Sequence, residues 1–164
     1  MNDVLSTALH VAFRSSAKHA QVDWKRVGAL YARIALGVGF LSGVADRFGL
    51  WRGRNVGYGN FSHFVLYTAK VNSFMPAFTI PFLAWAATVA EFSLGMALVL
   101  GLRQRWAALG SAVLLVSFGT AMAISFGLKS PLDYSVFSAS AGAVLLALSE
   151  TPTGTPSQKT RPQG

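Results

Sequence analysis

The chain contains no cysteine and few charged residues, and both shortages limit what it can be. Without cysteine, the chain itself forms no disulfide, thiolate nucleophile, cysteine-ligated zinc site or iron–sulfur cluster. Charged residues make up only 12% of the sequence, about half the share that is usual in a soluble domain. Gly-rich phosphate loops and nucleophile motifs are also missing. These absences exclude the common cysteine-based sites and argue against water as the main solvent.

Hydrophobic residues make up 52% of the 164 residues and concentrate in four long segments. A transmembrane helix needs about 20 consecutive apolar residues to cross about 30 Å of hydrocarbon. The segments run approximately over residues 27–45, 80–102, 106–128 and 132–148. The fourth is the shortest, and Asp133 stands at its start. The sequence therefore predicts an all-α fold, an integral membrane four-helix bundle.

The spans divide the chain into three parts. Residues 1–26 form a basic segment that is expected to be cytoplasmic, residues 27–148 form the membrane domain, and residues 149–164 should be a disordered Pro-rich tail. Between the first two spans, residues 61–71 carry apolar residues at helical spacing and predict a short interfacial helix on the outer side. An ordinary loop helix packed on the bundle fits this pattern equally well.

The basic residues predict the orientation of the chain. The net charge of +8 comes from short clusters between the apolar runs, so it points to anionic headgroups of the lipid bilayer rather than to nucleic acid. With the N-terminus in the cytoplasm, the inner loops hold the larger share of Lys and Arg. We therefore expect a multi-pass protein with both termini cytoplasmic.

Two charged residues fall inside predicted spans, Arg33 in the first and Glu91 in the second. A charge at the membrane centre costs about 2.5 to 3.5 kcal/mol, so both side chains should face the interior and find partners. Counted along their helices, the two residues differ in depth by only about 5 Å, which an arginine side chain can bridge. The sequence thus predicts an Arg33–Glu91 pair as the candidate catalytic residues. A pair that merely fixes helix register explains the pattern as well.

A second group of polar residues is expected at the outer membrane boundary. Asp46 and Arg47 directly follow the first span in the predicted topology, while Asp133 and Tyr134 lie at the start of the fourth. These four residues form a candidate outer polar site, although solvated loop ends would show the same pattern.

The first span also carries a packing pattern. Gly39 and Gly43 stand at the GxxxG spacing, with Asp46 further along the same face. Small residues at this spacing allow membrane helices to approach closely. We expect this face to be a packing surface.

The histidines limit the cofactors that the chain can hold. His10, His19 and His63 all lie outside the predicted spans, so no pair of them can ligate a haem within the membrane. No metal site and no covalently bound cofactor are predicted. Any redox cofactor would be a diffusible quinone or would belong to a partner chain.

Three runs of residues resemble the bacterial DoxX family of small membrane proteins. They are ALYARIALGVGFLSGVADRFG at 29–49, ATVAEFSLGMALVLGLRQRWAA from 87, and PLDYSVFSAS from 131. The resemblance implies a four-helix membrane domain in the bacterial cytoplasmic membrane. The family is similar to the DoxD membrane subunit of archaeal thiosulfate:quinone oxidoreductase, which works with a DoxA subunit, and other members are linked to oxidative-stress complexes.

Two classes of function follow from the residues and this resemblance. In the first, the chain is the membrane subunit of a quinone-linked oxidoreductase, and Glu91 exchanges a proton while Arg33 holds its charge or a quinone oxygen. In the second, it is a non-catalytic scaffold or small-solute carrier, and the same residues line a polar path or lock the helices together. The first class requires a redox partner subunit. A homo-oligomer remains open in both.

Overall fold

The computed structural model describes residues 23–51, 53 and 56–149, and these residues form helices, turns and loops without a strand. Most of the basic N-terminal segment and almost all of the C-terminal tail lie outside the described residues, as do Arg52 and Arg54 in the first loop. The expectation of an all-α fold is confirmed for the described part.

Helix α1 spans Trp24–Arg47. It begins at Asp23, whose carboxylate accepts hydrogen bonds from the backbone N–H groups of Lys25 and Arg26 and so satisfies two of the free donors at the helix start. The helix ends at Arg47, and Gly49 then adopts a φ of +68°. The first predicted span lies within this helix, but the helix carries Asp46 and Arg47 as its last two residues.

Helix α2 spans Phe61–Val71, the range that the apolar spacing predicts. Its N-cap is Asn60, whose side-chain oxygen accepts the backbone N–H of His63 at 2.9 Å. The buried side of the helix carries Phe64, Thr68 and Val71, and it packs against the next two helices of the chain.

The next two helices, α3 and α4, form an antiparallel hairpin. A short 3₁₀ turn, Ala77–Thr79, leads into α3 at Ile80–Leu100, and α4 follows at Gln104–Phe126. The three-residue connection needs two left-handed conformations, at Gly101 with φ +74° and at Arg103 with φ +42°. Glycine adopts this region freely, whereas arginine does so at a cost.

The last predicted span is divided in the structure. A five-residue helix α5, Lys129–Asp133, is followed by a turn and then by α6, Val136–Ser149. The turn includes Ser135 at φ +54°. Helix α6 packs along α4 and α1, but its 14 residues measure only about 21 Å at the usual helical rise.

Three helical segments are long and apolar enough to cross a membrane: Trp24–Arg47, Ala77–Leu100 and Gln104–Phe126. The shorter apolar helix α6 makes a fourth member of the bundle. The described residues therefore form three to four apolar helices compatible with a membrane helical bundle. We call the end that carries the α1–α2 loop and α2 the loop end.

Helices α1 and α3 are in backbone contact where two glycines face each other. A Cβ on Gly37 would lie 3.0 Å from the Gly95 carbonyl oxygen, and a Cβ on Gly95 would lie 3.1 Å from the Gly37 oxygen. Gly39, by contrast, has no atom within 4 Å of its Cβ position, and Gly43 has only Glu91 Oε2 at 3.4 Å. The prediction of a packing surface is therefore wrong at Gly39. Gly37, rather than Gly39, faces helix α3.

Candidate functional site

The centre of the candidate site is a buried ion pair between Arg47 and Glu91. Arg47 Nη2 donates to both carboxylate oxygens of Glu91, at 2.6 and 2.8 Å. Its Nη1 donates to the hydroxyl of Thr88 at 3.0 Å. The two charged side chains are only 5% and 6% exposed. Each charge is thus paired with a charge of opposite sign through short, charge-assisted hydrogen bonds.

The antiparallel register explains why these two residues meet. Starting from the contact between Gly37 and Gly95, Arg47 lies ten residues toward the loop end on α1, whereas Glu91 lies four residues toward it on α3. The difference is about 9 Å along the axes. Helical side chains lean toward the N-terminus of their own helix, so Arg47 reaches inward and Glu91 reaches outward, and the two close the gap.

The predicted partner of Glu91 is therefore wrong. A Cβ on Gly101 would lie 3.0 Å from Arg33 Nη1, which places the Arg33 guanidinium at the α3–α4 turn. Arg33 has interactions of its own there, as does Gln104. Ten residues of α3 separate Glu91 from Gly101, about 15 Å. Arg33 and Glu91 lie four residues on opposite sides of the Gly37–Gly95 contact, so their levels differ by about 12 Å rather than about 5 Å, and their side chains lean further apart.

The phenyl ring of Phe64 covers the guanidinium of Arg47. The Arg47 Cζ lies 3.7 Å from the ring centroid, a cation–π contact that is strongest where water is excluded. Phe64 belongs to α2 and is 5% exposed. Helix α2 therefore seals the ion pair from the loop end.

The preceding residue, Asp46, holds the α1–α2 loop against the same site. Its carboxylate accepts the backbone N–H of Tyr58 at 2.7 Å and that of Gly59 at 3.4 Å. The loop can approach this closely only because residue 57 is glycine, since a Cβ there would lie 2.8 Å from Asp46 Oδ2. The two neighbouring side chains thus have different partners: Asp46 binds the α1–α2 loop, and Arg47 binds residues of α3.

Tyr58 lies between the ion pair and the outside of the loop end. Burial raises the pKa of Tyr58, with a further rise from the neighbouring Tyr67, while the positive charge of Arg47 opposes the shift. The hydroxyl therefore stays protonated at any physiological pH. The ring contacts Phe64 edge-on at a centroid distance of 5.1 Å and Tyr67 at 5.4 Å.

An aromatic group on the apolar surface lies beside the site. Phe48, Phe61 and Trp85 stack or tilt against one another with ring centroids 4.5 to 6.4 Å apart. Phe48 and Trp85 are each 51% exposed. Phe48 directly follows Arg47, and Trp85 precedes Thr88 by one helical turn. Aromatic rings are typical of the boundary between hydrocarbon and headgroups.

Asp133 and Tyr134 do not join the buried site. The carboxylate of Asp133 pairs with Lys129 one turn earlier, and both side chains are exposed to solvent. Tyr134 is 73% exposed. Tyr134 lies near Tyr67, whose pKa is raised by burial first and by Tyr134 second. The expected outer polar site is thus two groups in the structure, with Asp46 and Arg47 buried and Asp133 and Tyr134 on the surface.

The residues that the structure describes contain no group of three His, Cys, Asp or Glu side chains able to hold a metal ion. The polar groups at the buried site are the ion pair, the Thr88 hydroxyl and, beyond Phe64, Tyr58. Such a group can hold a charge or a proton within the bundle.

The family model of DoxX matches residues 28–125. This chain belongs to the DoxX family. The matched region includes most of α1, all of α2 and α3 and nearly all of α4, and therefore the whole Arg47–Glu91 site. No curated protein and no solved structure matches the chain.

In this DoxX protein, the sequence indicates Glu91, Asp46 and Arg47 as candidate site residues. It does not predict that Arg47 pairs with Glu91. It missed Thr88 as a ligand of the arginine, although a threonine one turn from a buried carboxylate was a usable signal. Tyr58 gave no signal, because it stands in a loop whose fold depends on Asp46.

Proposed function

We propose that this DoxX-family protein is the membrane subunit of a quinone-linked oxidoreductase complex. The observation that carries the proposal is the buried Arg47–Glu91 pair, which stands beside an aromatic surface group at the loop end. Ionisable residues within a membrane domain are costly and are candidates for proton or ligand handling. Membership of the DoxX family also supports a quinone-linked role, since the family is similar to the membrane subunit of thiosulfate:quinone oxidoreductase.

Quinone enters this proposal as a diffusible substrate. Its reduction consumes two electrons and two protons, and the electrons come from a substrate oxidised by a partner subunit. Of the two buried acid groups in the described residues, Asp46 holds the loop and Glu91 lies between the helices, so we assign to Glu91 the transfer of a proton. Arg47 replaces Arg33 as the residue that holds the carboxylate charge or a quinone oxygen. The exposed rings of Phe48 and Trp85 offer a surface for a planar head group arriving from the lipid.

The proposal places the chain in the bacterial cytoplasmic membrane with both termini cytoplasmic and α6 as the fourth crossing. Helix α2 then lies at the outer interface, where its exposed Leu66 and Lys70 meet lipid and headgroups. Reporter fusions after Arg105 and after Gly164 should read cytoplasmic, and one near Arg54 should read external.

A specific observation favours a second function, that of a scaffold. Both oxygens of Glu91 accept hydrogen bonds from Arg47, and a buried ion pair of this kind can serve simply to fix the helix register. In that case the same contacts hold the bundle together for a partner subunit without any chemistry.

The two functions differ in what Glu91→Gln does. The protein is purified from its native membrane in mild detergent with its associated subunits, and the reduction of added quinone is measured. Glu91→Gln keeps a polar side chain of the same size, so the complex should assemble but lose most of its quinone reduction. The matched control is Asp133→Asn, an exposed carboxylate that should leave the rate unchanged. Full activity in Glu91→Gln, or no quinone reduction by the native complex, would reject the redox role.

A further inference from the structure

A recess opens at the loop end between the α1–α2 loop and the exposed side of α2. Its walls come from the loop and from successive turns of α2: Gly57, Tyr58, His63, Leu66, Tyr67 and Lys70. Its volume is about 270 Å³, slightly below the range of about 300 to 1,000 Å³ that is usual for sites of drug-sized ligands. The recess therefore suits a headgroup or a small ion better than a large molecule.

The charged group that lines this recess is positive. Lys70 supplies a positive charge, and within the described residues it forms no ion pair with a carboxylate. No aspartate or glutamate lines the recess. The nearest buried acid groups, Asp46 and Glu91, are occupied by the loop N–H groups and by Arg47 respectively.

The two tyrosines add hydrogen-bond donors. Burial raises the pKa of Tyr58 and of Tyr67, so each hydroxyl stays protonated and can donate. Neither hydroxyl donates to an acceptor in the part of the chain that the structure describes. A ligand with acceptor oxygens would use both.

The imidazole of His63 is held in one orientation. Its Nδ1 lies 2.9 Å from the Tyr58 carbonyl oxygen, which can only accept, and 3.2 Å from Asn60 Nδ2, which can only donate, so this nitrogen has a partner in either tautomer. The ring lines the recess, and its Nε2 makes no hydrogen bond within the described residues. The loop and α2 thus hold this side chain in place before any ligand arrives.

We propose that this recess binds an oxyanion, with Lys70 as its counter-charge and the hydroxyls of Tyr58 and Tyr67 as donors. The same chemistry suits the phosphodiester of an anionic lipid headgroup and a free inorganic oxyanion. The membrane favours the lipid as the occupant, because a lysine beside aromatic residues near a bilayer surface is suited to anionic headgroups. This inference concerns the surface of α2 and does not depend on quinone chemistry at Glu91.

The lipid arm of the test uses the full-length protein in nanodiscs that contain phosphatidylglycerol and phosphatidylcholine. Native mass spectrometry then counts the lipids that stay bound. The wild type should retain phosphatidylglycerol in preference to phosphatidylcholine, and Lys70→Met should reduce this preference about fivefold. Tyr67→Phe removes a single hydroxyl with little risk to folding and should also weaken it. Lys129→Met is the matched control, because Lys129 is a lysine already neutralised by Asp133.

The free-ion arm adds inorganic phosphate to the protein in nanodiscs of phosphatidylcholine alone and measures thermal stabilisation. Stabilisation that Lys70→Met abolishes, without any preference for phosphatidylglycerol, assigns the recess to a soluble oxyanion and supports its chemistry. Equal losses in Lys70→Met and Lys129→Met would reduce the effect to general surface charge and overturn the proposal. So would a wild type that shows neither lipid preference nor phosphate binding.

Discussion

Breaking the Arg47–Glu91 pair from one side should cost far more than removing it from both sides. Glu91→Leu leaves the guanidinium with Thr88 and the face of Phe64, and Arg47→Leu leaves a carboxylate with no cation that contacts it in the described residues. The double variant Arg47→Leu with Glu91→Leu leaves no buried charge behind. The coupling between the two residues therefore tests the assignment of Glu91's partner directly.

The structure sets the expected size. Both side chains are at least 94% buried, so screening by solvent is small, and breaking a buried pair on one side costs about 3 to 5 kcal/mol. Each charge-assisted hydrogen bond contributes about 1.5 to 3 kcal/mol, and Arg47 makes two of them to Glu91. Leucines in place of both residues can be close to neutral. The coupling energy should therefore be about 3 kcal/mol or more, with the double variant more stable than either single one.

The measurement is a double-mutant cycle on unfolding in detergent. The exposed pair Lys129–Asp133 provides a matched cycle, for which the coupling should stay below about 1 kcal/mol. A third cycle between Arg33 and Glu91 should be additive, because those side chains lie at different levels. Additive losses for Arg47 and Glu91, within about 0.5 kcal/mol, would refute the reasoning.

Three further predictions test the packing and the loop. Gly37→Ala should destabilise the protein by about 1 to 3 kcal/mol because its Cβ meets backbone, whereas Gly39→Ala should be neutral or stabilising in the same thermal assay because its Cβ meets nothing. Gly57→Ala should push the loop off Asp46 and lower stability, which hydrogen exchange at the Tyr58 amide would report as faster exchange. Folding raises the pKa of Tyr58, so the contribution of its protonated hydroxyl to the free energy of unfolding is intact below the unfolded pKa of about 10 and is lost as the pH rises from there through the folded pKa. In an alkaline titration, Tyr58→Phe should therefore unfold at higher pH than the wild type.

The sequence predicts the helices well because each is marked by its own residues. Long apolar runs give α1, α3 and α4, and apolar spacing gives α2 with the observed ends. The fourth span is less regular, since the polar residues from Lys129 to Ser135 support a short helix and a turn before α6 begins. Local composition is enough for these features because they depend on residues close in the chain.

The site depends on contacts that local composition does not contain. Arg47 stands at the end of a span, where an arginine is normally solvated, and only the packing of Phe64 above it removes the water. Arg33 and Glu91 lie on opposite sides of the Gly37–Gly95 contact, and a count along each helix from its own end does not contain that register. Knowledge of the Gly37–Gly95 contact would have fixed the register and excluded Arg33.

The close pairing of Arg47 with Glu91 bears on any chemistry at this site. Proton uptake by Glu91 gives up the charge attraction of the pair and weakens both hydrogen bonds from Arg47, so a movement of that guanidinium favours it. Arg47 is confined by Phe64 above and by α3 beside it, and the loop pinned by Asp46 lies next to Phe64 through Tyr58. For a redox role of Glu91 we therefore expect α2 and the loop to shift together, whereas a scaffold role needs no such shift. The mobility of α2 during turnover, rather than the presence of the pair, is what separates the two functions.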